Sequence, residues 1–441
     1  MSSPMENEWV ADSQQVVRIR NLKFRVKTYA WVLTAVGLIG YLFTTFDTSI
    51  FGASLPSIAA DFHMSGSSIS YLVAGIFAFG TISGVVLGPM ADRFGRKPTF
   101  QIILAITGVF SGLTAFVGNL GALTFVRVLS GVGINATSPM NTLISEEAPP
   151  EKRGLLMGVM QAGFPLGSAL AGTVAALFLP HWRPLFLIAF APILVILLVS
   201  IFVRESPRFQ LVAKERREGR ALKNVSAHTN VAEARKNELS QMFAKDIRRQ
   251  SIVVNIFNFL APAGVVMVLI FVTLYATDIQ HFSVTKAAML LAINNWVALV
   301  AQVFIGYISD YIPPKWIQVV GAIVGALAPI LLLLANGSYL MDVAAMVVYG
   351  LFGNGLYGCN FRYAGESYPT RIRGTGMFLA QADVDAMLVV LPLLAGVFFG
   401  IHHPEYLLYF VFGAQLLAGV TMMFGKDIRP GKSLESISGE I

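Results

Sequence analysis

The amino-acid sequence predicts an all-α integral membrane protein in which twelve transmembrane helices form two six-helix pseudo-repeats. Of its 441 residues, 55% are hydrophobic and 13% are charged, and the mean hydropathy is +0.66. A soluble protein carries roughly a quarter charged residues, so the water-soluble classes are excluded. Apolar runs of about 20 residues, each long enough to cross a ~30 Å hydrocarbon core, recur from end to end. Charged loop motifs in the first half of the chain are repeated in the second half.

Apolar segments separated by short polar connections define the expected spans. These are 29–59, 68–91, 98–117, 120–145, 154–180, 184–203, 252–277, 286–309, 316–335, 339–364, 374–400 and 405–425. Most of the 32 Lys and Arg residues fall in the tails and in alternate connections, whereas Arg183 and Lys286 lie in the opposite loops. Because basic residues accumulate on the cytoplasmic side, we expect both termini in the cytoplasm and a multi-pass protein of the cell (inner) membrane.

Composition divides the chain into five parts. Residues 1–28 are basic near their end and lack an apolar core, so we interpret them as a cytoplasmic tail rather than a signal peptide. Two six-helix bundles are expected at 29–203 and 252–425. Between them, 204–251 is rich in Arg, Lys and Glu and is interpreted as a cytoplasmic linker near anionic lipid heads rather than a dedicated partner site. Residues 426–441 form a second cytoplasmic tail.

An internal repeat supports the two bundles. The loop that begins at Glu146 and ends at Gly154 matches the loop from Glu366 to Gly374, with an offset of 220 residues. The charged loop 88–97 aligns with 306–315 at an offset of 218. Parallel repeats of this kind are typical of transporters that bind substrate between two halves near the bilayer midplane.

Two charged residues within predicted spans are candidates for function, because a charge in the hydrocarbon core is costly. Asp47 lies 18 residues from the inner end of the first span, or ~27 Å at 1.5 Å per residue. Arg127 lies about seven residues, or ~10 Å, from the outer end of the fourth span. Both depths fall in the outer half of the bilayer, so the two side chains are expected to pair. The pair is either a proton-coupling site, in which Asp47 alternates between anion and acid, or a structural ion pair.

Several of these motifs resemble those of the major facilitator superfamily. The loop 88–97 resembles its signature G-x-x-x-D-R-x-G-R-[KR] between the second and third helices, and Arg127-x-x-x-Gly131-x-Gly133 resembles its fourth-helix motif. The segments 204–208 and 369–374 are similar to the motifs that follow helices six and ten in sugar-porter-like members, although Arg204 departs from the first position. Asp47 resembles the helix-one proton site of the proton-coupled sugar and metabolite symporters. The resemblance implies twelve helices, alternating access and Arg127 as the partner of Asp47.

The resemblance also implies that charge networks at the cytoplasmic loops close the inner side in the outward-open state and separate when it opens. We expect each network to link loops within one half of the chain. The residues assigned to this gate are Gly88, Asp92, Arg93, Gly95, Arg96, Glu146, Arg153, Glu205, Arg208, Asp310, Glu366, Arg371 and Arg373. The alternative, anchoring by positive charge alone, explains the basic residues but not the acidic ones.

The substrate site is specified less well by the sequence. Gln161 matches the fifth-helix glutamine with which sugar porters bind hydroxyl groups, yet the seventh and tenth spans lack the family's sugar-binding pattern. In the eleventh span, Gln381 precedes two acids, which suggest a second protonation site or a carboxylate that holds a cationic substrate. Residues two apart on a helix point ~200° apart, so we expect one of them, Asp383 rather than Asp385, to face the cavity. Further polar and aromatic lining is expected from Asn294, Asn295, Trp296 and Asn360, each of which could instead make a helix–helix hydrogen bond.

The sequence therefore predicts a secondary active transporter rather than an enzyme. We expect proton-coupled symport of a small polar metabolite, either an organic acid, a sugar-like compound or an amine-bearing compound. The alternative is a proton-coupled antiporter that exports cationic or amphipathic compounds. No cofactor, metal site or nucleic-acid partner is signalled, and the expected partners are the substrate, protons and membrane lipid, with the protein acting as a monomer.

Overall fold

The computed structural model describes residues 16–19, 22–217, 238–272, 275–400, 403, 405–434 and 437. A short antiparallel hairpin, β1 (Val16–Ile19) and β2 (Leu22–Arg25), precedes the first helix, with Val17 opposite Phe24. This hairpin was not predicted from the sequence, in which residues 1–28 are assigned to a cytoplasmic tail. The segment 218–237 of the expected linker lies outside the described residues.

Twelve spanning helices follow, as predicted. The first six are α1 (Val26–Asp61), α2 (Gly66–Phe94), α3 (Arg96–Phe116), α4 (Leu120–Glu147), α5 (Arg153–Gln161 and Gly163–Phe178) and α6 (Arg183–Ile188 and Ala191–Phe202). The short surface helices Pro207–Arg217 and Glu238–Gln241 belong to the linker. The second six are α7 (Arg248–Leu260 and Ala263–Val266), α8 (Val284–Ile308), α9 (Pro314–Gly325 and Leu327–Leu334), α10 (Tyr339–Ser367), α11 (Arg373–Gly400) and α12 (Glu405–Met423).

Eleven of these helices are individually long and apolar enough to cross a membrane within the described part of the chain. The seventh helix, α7, is divided after Leu260 and continues through two π-helical turns, Met267–Phe271 and Tyr275–Ile279, on either side of two undescribed residues. A third π-helical turn, Tyr349–Asn354, interrupts α10, and a 3-10 turn, Gly131–Ala136, interrupts α4. Such turns redirect a helix without ending it and are frequent at functional positions.

The two bundles meet along two matching helix pairs. Helix α2 packs along α11, and α5 packs along α8. In the second pair, a Cβ atom added to Gly158 would lie 2.6 Å from the main-chain oxygen of Gln302 and 2.9 Å from Cα of Gly306. In the first pair, a Cβ atom at Gly88 would lie 3.0 Å from Cα of Thr375. Glycine therefore permits backbone-to-backbone contact between the bundles at equivalent places.

We expect Gly158→Val to destabilise the contact between α5 and α8, because the valine side chain would overlap the backbone of α8 at Gln302 and Gly306. Overpacking typically costs about 1–3 kcal/mol, so the thermal unfolding midpoint in detergent should fall by several degrees. Gly172→Val on the same helix is the control, since nothing lies within 4 Å of a Cβ atom there. Equal midpoints for the two variants would contradict this account of the crossing.

Candidate functional site

The first candidate site is the buried pair predicted from the sequence. Nη1 of Arg127 lies 2.9 Å from Oδ1 of Asp47, and the two side chains are 2% and 4% exposed. The Arg127 guanidinium also lies over the ring of Phe51, 4.3 Å from its centroid, and 5.4 Å from the ring centroid of Phe186. The site is thus enclosed by α1, α4 and α6. The two aromatic faces add to the stabilisation of the buried Arg127 cation.

The second site lies at the end of the bundles that carries the repeated loop motifs, which we call the motif face. Here Asp92, from α2, accepts hydrogen bonds from the main-chain nitrogens of Gly374 (3.0 Å) and Thr375 (2.7 Å) and from the Thr375 hydroxyl (2.8 Å). Asp310, after α8, accepts from the main-chain nitrogens of Gly154 (2.7 Å) and Leu155 (2.9 Å). The first amides of a helix have no partner within it and carry a partial positive charge. Each bundle therefore caps a helix of the other bundle.

Ion pairs across the bundles accompany the caps. Glu146 of α4 lies 3.1 Å from Nη1 of Arg373, and Glu366 of α10 lies 2.8 Å from Nη1 of Arg153. All four side chains are at most 1% exposed. The expectation that each network stays within one half of the chain was wrong, because the related loops exchange partners about the pseudo-twofold axis. Residues assigned to the gate from the sequence nevertheless lie together at the motif face, namely Asp92, Arg96, Glu146, Arg153, Asp310, Glu366 and Arg373.

Helix α10 supplies a gate residue that sequence reasoning missed. Arg362 lies 2.8 Å from Asp310 and 3.1 Å from Glu366, and its side chain is 1% exposed. Its counterpart in function is Arg96, which lies 3.1 Å from Asp92 and 3.2 Å from Glu146. Arg362 falls within the predicted tenth span, so the rule that singled out Arg127 would also have found it.

The remaining gate residues support these contacts from the loops. Glu205 accepts a hydrogen bond from the main-chain nitrogen of Lys97 (3.0 Å) beside Gly95, whose φ of 111° and lack of Cβ leave room for the carboxylate. Arg208 donates to the main-chain carbonyl of Glu146. Arg371 lies 2.7 Å from Asp246 of the linker. Arg93 is exposed to solvent.

Two of the loop carboxylates have perturbed acidities. Burial raises the pKa of Asp310, opposed by the Arg362 guanidinium and by the Gly154 and Leu155 amides. Burial also raises the pKa of Glu205, opposed by Arg96 and by the amides that it accepts from. Desolvation is the larger effect in both cases, so these carboxylates depend on the cationic and amide partners that keep them charged.

A polar network links the bundles further from the motif face. The Thr137 hydroxyl of α4 donates to Oε1 of Gln381 on α11 (3.2 Å), and Nε2 of Gln381 donates to Oδ1 of Asp385 (2.8 Å). Asp385 is 1% exposed and lies within electrostatic range of Tyr41 on α1. Asp383 is half-buried and lies near Tyr368 instead. The preference for Asp383 was therefore wrong, because Asp385, one helical turn from Gln381, shares the face that meets α4 and α1.

Aromatic side chains surround this network. The rings of Tyr41 and Phe164 have centroids 6.1 Å apart, and the buried Tyr357 of α10 lies within electrostatic range of Tyr41. The Tyr357 hydroxyl has no hydrogen-bond partner among the described residues. Gln161 accepts a long hydrogen bond (3.5 Å) from Nδ2 of Asn141, and both are buried. Tyr41 and Tyr357 were not among the predicted site residues, although Tyr41 lies shortly before Asp47 in the first span and Tyr357 shortly before Asn360 in the tenth.

The other predicted lining residues lie elsewhere. Asn294 donates to the main-chain oxygen of Met346 (3.1 Å) and accepts from Asn354 (3.2 Å), so it joins α8 to α10. Trp296 is 61% exposed and forms an outer apolar stripe with Val300 and Phe304, which are 67% and 59% exposed. Trp296 as a lining residue was therefore wrong, since such a stripe faces away from the protein interior.

Two further predicted asparagines complete the set. Asn360 donates to Asn258 (2.7 Å), which joins α10 to α7 within the second bundle. Asn295 is half-buried, next to Asn294 on α8. The carboxamides of the second bundle thus serve mainly as helix–helix hydrogen bonds, the alternative that the sequence left open.

The caps at the motif face can be tested through solvent access. In a Cys359→Ala background, a cysteine replacing the fully buried Ser145, whose Cβ lies against Gly365 at the α4–α10 contact, should be protected from a membrane-impermeant maleimide. Asp92→Asn should accelerate labelling at least tenfold, because it removes the charge from the acceptor of three hydrogen bonds, and a bond to a charged group contributes about 1.5–3 kcal/mol. Glu151→Gln, an exposed carboxylate of the same loops, is the control. An unchanged labelling rate in Asp92→Asn would exclude a gating role.

Comparisons with known proteins agree with this architecture. The family model of the Major Facilitator Superfamily matches residues 37–385 and 254–439. The 4-hydroxybenzoate transporter PcaK of Acinetobacter baylyi is 25% identical over 370 residues, covering 79% of this chain and 80% of its own. The niacin transporter NiaP of the same organism is 25% identical over 443 residues, covering 96% and 99%.

Solved structures show the same fold. The proton:xylose symporter XylE superposes with a TM-score of 0.74 at 20% identity, covering 93% of this chain and 98% of its own. The human organic anion transporter MFSD10 superposes with a TM-score of 0.68 at 14% identity, covering 89% and 99%. The predicted resemblance is confirmed at the level of the superfamily. The chain belongs to the major facilitator superfamily and is an integral membrane transporter of metabolites rather than an enzyme.

Proposed function

We propose that this transporter is a proton-coupled symporter that takes up a small organic acid carrying an aromatic or heteroaromatic ring. The buried Asp47–Arg127 pair carries the proposal of proton coupling. A proton on Asp47 releases Arg127 from its counter-ion, so protonation changes what holds α1 to α4. The ring of the substrate is suggested by the names of relatives that transport 4-hydroxybenzoate, niacin and gallate.

The central network supplies groups suited to such a substrate. Tyr41, Phe164 and Tyr357 offer aromatic surface, and the carboxamides of Gln161 and Gln381 offer donors and acceptors for carboxylate or hydroxyl groups. These groups come from both bundles of one chain. We therefore propose that one chain is the transporting unit, a monomer, and that no nucleic acid takes part.

The orientation is part of the proposal. Most lysine and arginine residues lie at the motif face and in the tails, whereas the opposite loops hold Arg183 and Lys286. By the charge rule, the motif face and both termini are cytoplasmic, in the cell (inner) membrane. The caps and ion pairs at the motif face then hold a state that is closed to the cytoplasm.

The role of Asp47 can be tested in proteoliposomes with an inside-alkaline pH gradient. The wild type should accumulate labelled 4-hydroxybenzoate, nicotinate or gallate. Asp47→Asn should abolish accumulation while exchange at equal concentrations persists, because the neutral residue keeps the shape but cannot release a proton. Accumulation by Asp47→Asn equal to that of the wild type would make the pair purely structural.

Two further variants complete that experiment. Asp61→Asn is the matched control, since Asp61 also pairs with an arginine, Arg183, at 3.0 Å, but both side chains are 47% exposed. The double variant Asp47→Asn with Arg127→Gln restores charge balance, so loss of exchange in the single variant alone would indicate misfolding rather than uncoupling.

Tyr357→Phe should raise the KM for uptake roughly fivefold with little change in thermal stability. Its hydroxyl has no partner in the described protein, so its removal sacrifices only a hydrogen bond to substrate, of about 1 kcal/mol. Tyr349→Phe is the contrasting variant, because its hydroxyl accepts from Gln415 (3.4 Å), and it should lower the melting midpoint without altering KM. An unaltered KM in Tyr357→Phe would remove Tyr357 from the substrate site.

Antiport of cationic or amphipathic compounds is a second candidate, favoured by the buried carboxylate of Asp385 between the bundles. A carboxylate in that position could pair with an amine. Counterflow assays with aromatic amines beside the aromatic acids would separate the two functions. Saturable counterflow of amines alone would favour the antiporter.

A further inference from the structure

We infer that Asp385 is a second proton-binding residue, and that two protons accompany each singly charged substrate anion. This inference rests on the proposed function, since it concerns how many protons the same transport path carries. The surroundings of Asp385 support it. Gln381 donates one hydrogen bond to Oδ1, and Oδ2 has no hydrogen-bond partner among the described residues.

The charged and titratable groups around Asp385 do not compensate a negative charge. They are Asp383 on the same helix and Tyr41 on α1, and neither is a cation. No lysine or arginine pairs with Asp385 in the part of the chain that the structure describes. An isolated buried carboxylate is strongly disfavoured and takes up a proton instead. Asp47 differs because Arg127 neutralises it.

The position of Asp385 makes its charge relevant to the substrate. The residue shares the surface between the bundles with Gln381, Thr137 and Tyr41, where we place the substrate. A substrate carboxylate and an ionised Asp385 would repel each other across a medium of low dielectric constant. Protonation of Asp385 must therefore precede or accompany binding of an anion, and that proton leaves on the side where the anion leaves.

One helix connects the two acids. Arg127, the partner of Asp47, and Thr137, which contacts Asp385 through Gln381, both lie on α4, on either side of its 3-10 turn Gly131–Ala136. When Asp385 is charged, Nε2 of Gln381 must face it, which leaves Oε1 to accept from Thr137. Protonation of Asp385 removes this requirement, so the orientation of the Gln381 carboxamide, and with it the direction of the hydrogen bond to Thr137, is no longer fixed. Both protons thus act on the same helix.

The inference predicts the charge balance of transport. A singly charged anion that moves with two protons carries one net positive charge inward, so uptake responds to membrane potential. At a pH difference of one unit and zero potential, two protons give an accumulation ratio of about 100 and one proton gives about 10. Asp385→Asn should move the ratio from the first value to the second and make uptake insensitive to potential.

The test uses the full chain in proteoliposomes, with the potential clamped by potassium and valinomycin and with 4-hydroxybenzoate, nicotinate and gallate as probes. Asp383→Asn is the matched control, two residues away on the same helix, and should keep the wild-type ratio and voltage response. If Asp385→Asn keeps them as well, the inference is overturned. A wild-type ratio near 10 that Asp47→Asn abolishes would also overturn it while leaving the proposed function intact.

A binding measurement covers the case in which Asp385→Asn does not transport. In weakly buffered detergent solution, a pH dye reports the protons taken up when the wild type binds the probe acid. The measurement is repeated at rising pH, and at a pH where Asp385 of the free protein is ionised Asp385→Asn should take up about one proton fewer per ligand bound than the wild type. Uptake equal to that of the wild type at every pH would sink the inference. If neither wild-type binding nor wild-type transport depends on protons, the proposed function itself fails.

Discussion

Main-chain amides at a buried helix end need hydrogen-bond partners that water cannot supply, and the contact between the bundles depends on this constraint. The first amides of α5 and α11 are satisfied by Asp310 and Asp92, each supplied by the opposite bundle. Neither bundle can satisfy these helix ends by itself in this arrangement. The symmetry of the two caps follows from the sequence repeat, since equivalent loops meet equivalent helices. A gate built from two such caps closes or opens as a unit, because opening breaks the hydrogen bonds of four main-chain amides at once.

The spans and the Asp47–Arg127 contact could be predicted because they depend on quantities that a sequence contains. Apolar length gives the spans, and counting residues from a span end gives depth, which was enough to bring Asp47 to Arg127. The choice between Asp383 and Asp385 failed because it depends on the rotation of α11 about its axis. That angle is set by packing against α2 and α4, which a single sequence does not report. The prediction that Trp296 lines the substrate site was wrong for the same reason, because it depends on the rotation of α8 about its axis.

The predicted pairing of the gate residues was wrong for a different reason. The loop motifs identified the correct residues, yet the ion pairs were assigned within each half of the chain. Two copies of a loop related by a pseudo-twofold axis can pair within a copy or between copies, and both satisfy the same charges. The close approach of Gly158 to Gly306 brings the loops together across the axis and selects exchange. The extra cation comes from different elements on the two sides, Arg96 at the start of α3 and Arg362 within α10, so the two halves of the gate are similar but not identical.

Helix α4 is the element through which these sites can influence one another. It carries Arg127 beside Asp47, Thr137 beside Gln381, and Glu146 within the gate, and a 3-10 turn separates the first from the other two. A proton at Asp47 removes the counter-ion of Arg127 but leaves its contacts with Phe51 and Phe186, so the helix loses a tie without gaining an uncompensated charge. A movement of α4 would therefore cost little free energy at Asp47 and Arg127. At the other end, the same shift acts on Glu146, whose two arginine partners Arg96 and Arg373 come from different bundles. Under the proposed proton coupling, a modest change at Asp47 would thus reach the contacts of Glu146 that join the two bundles at the motif face.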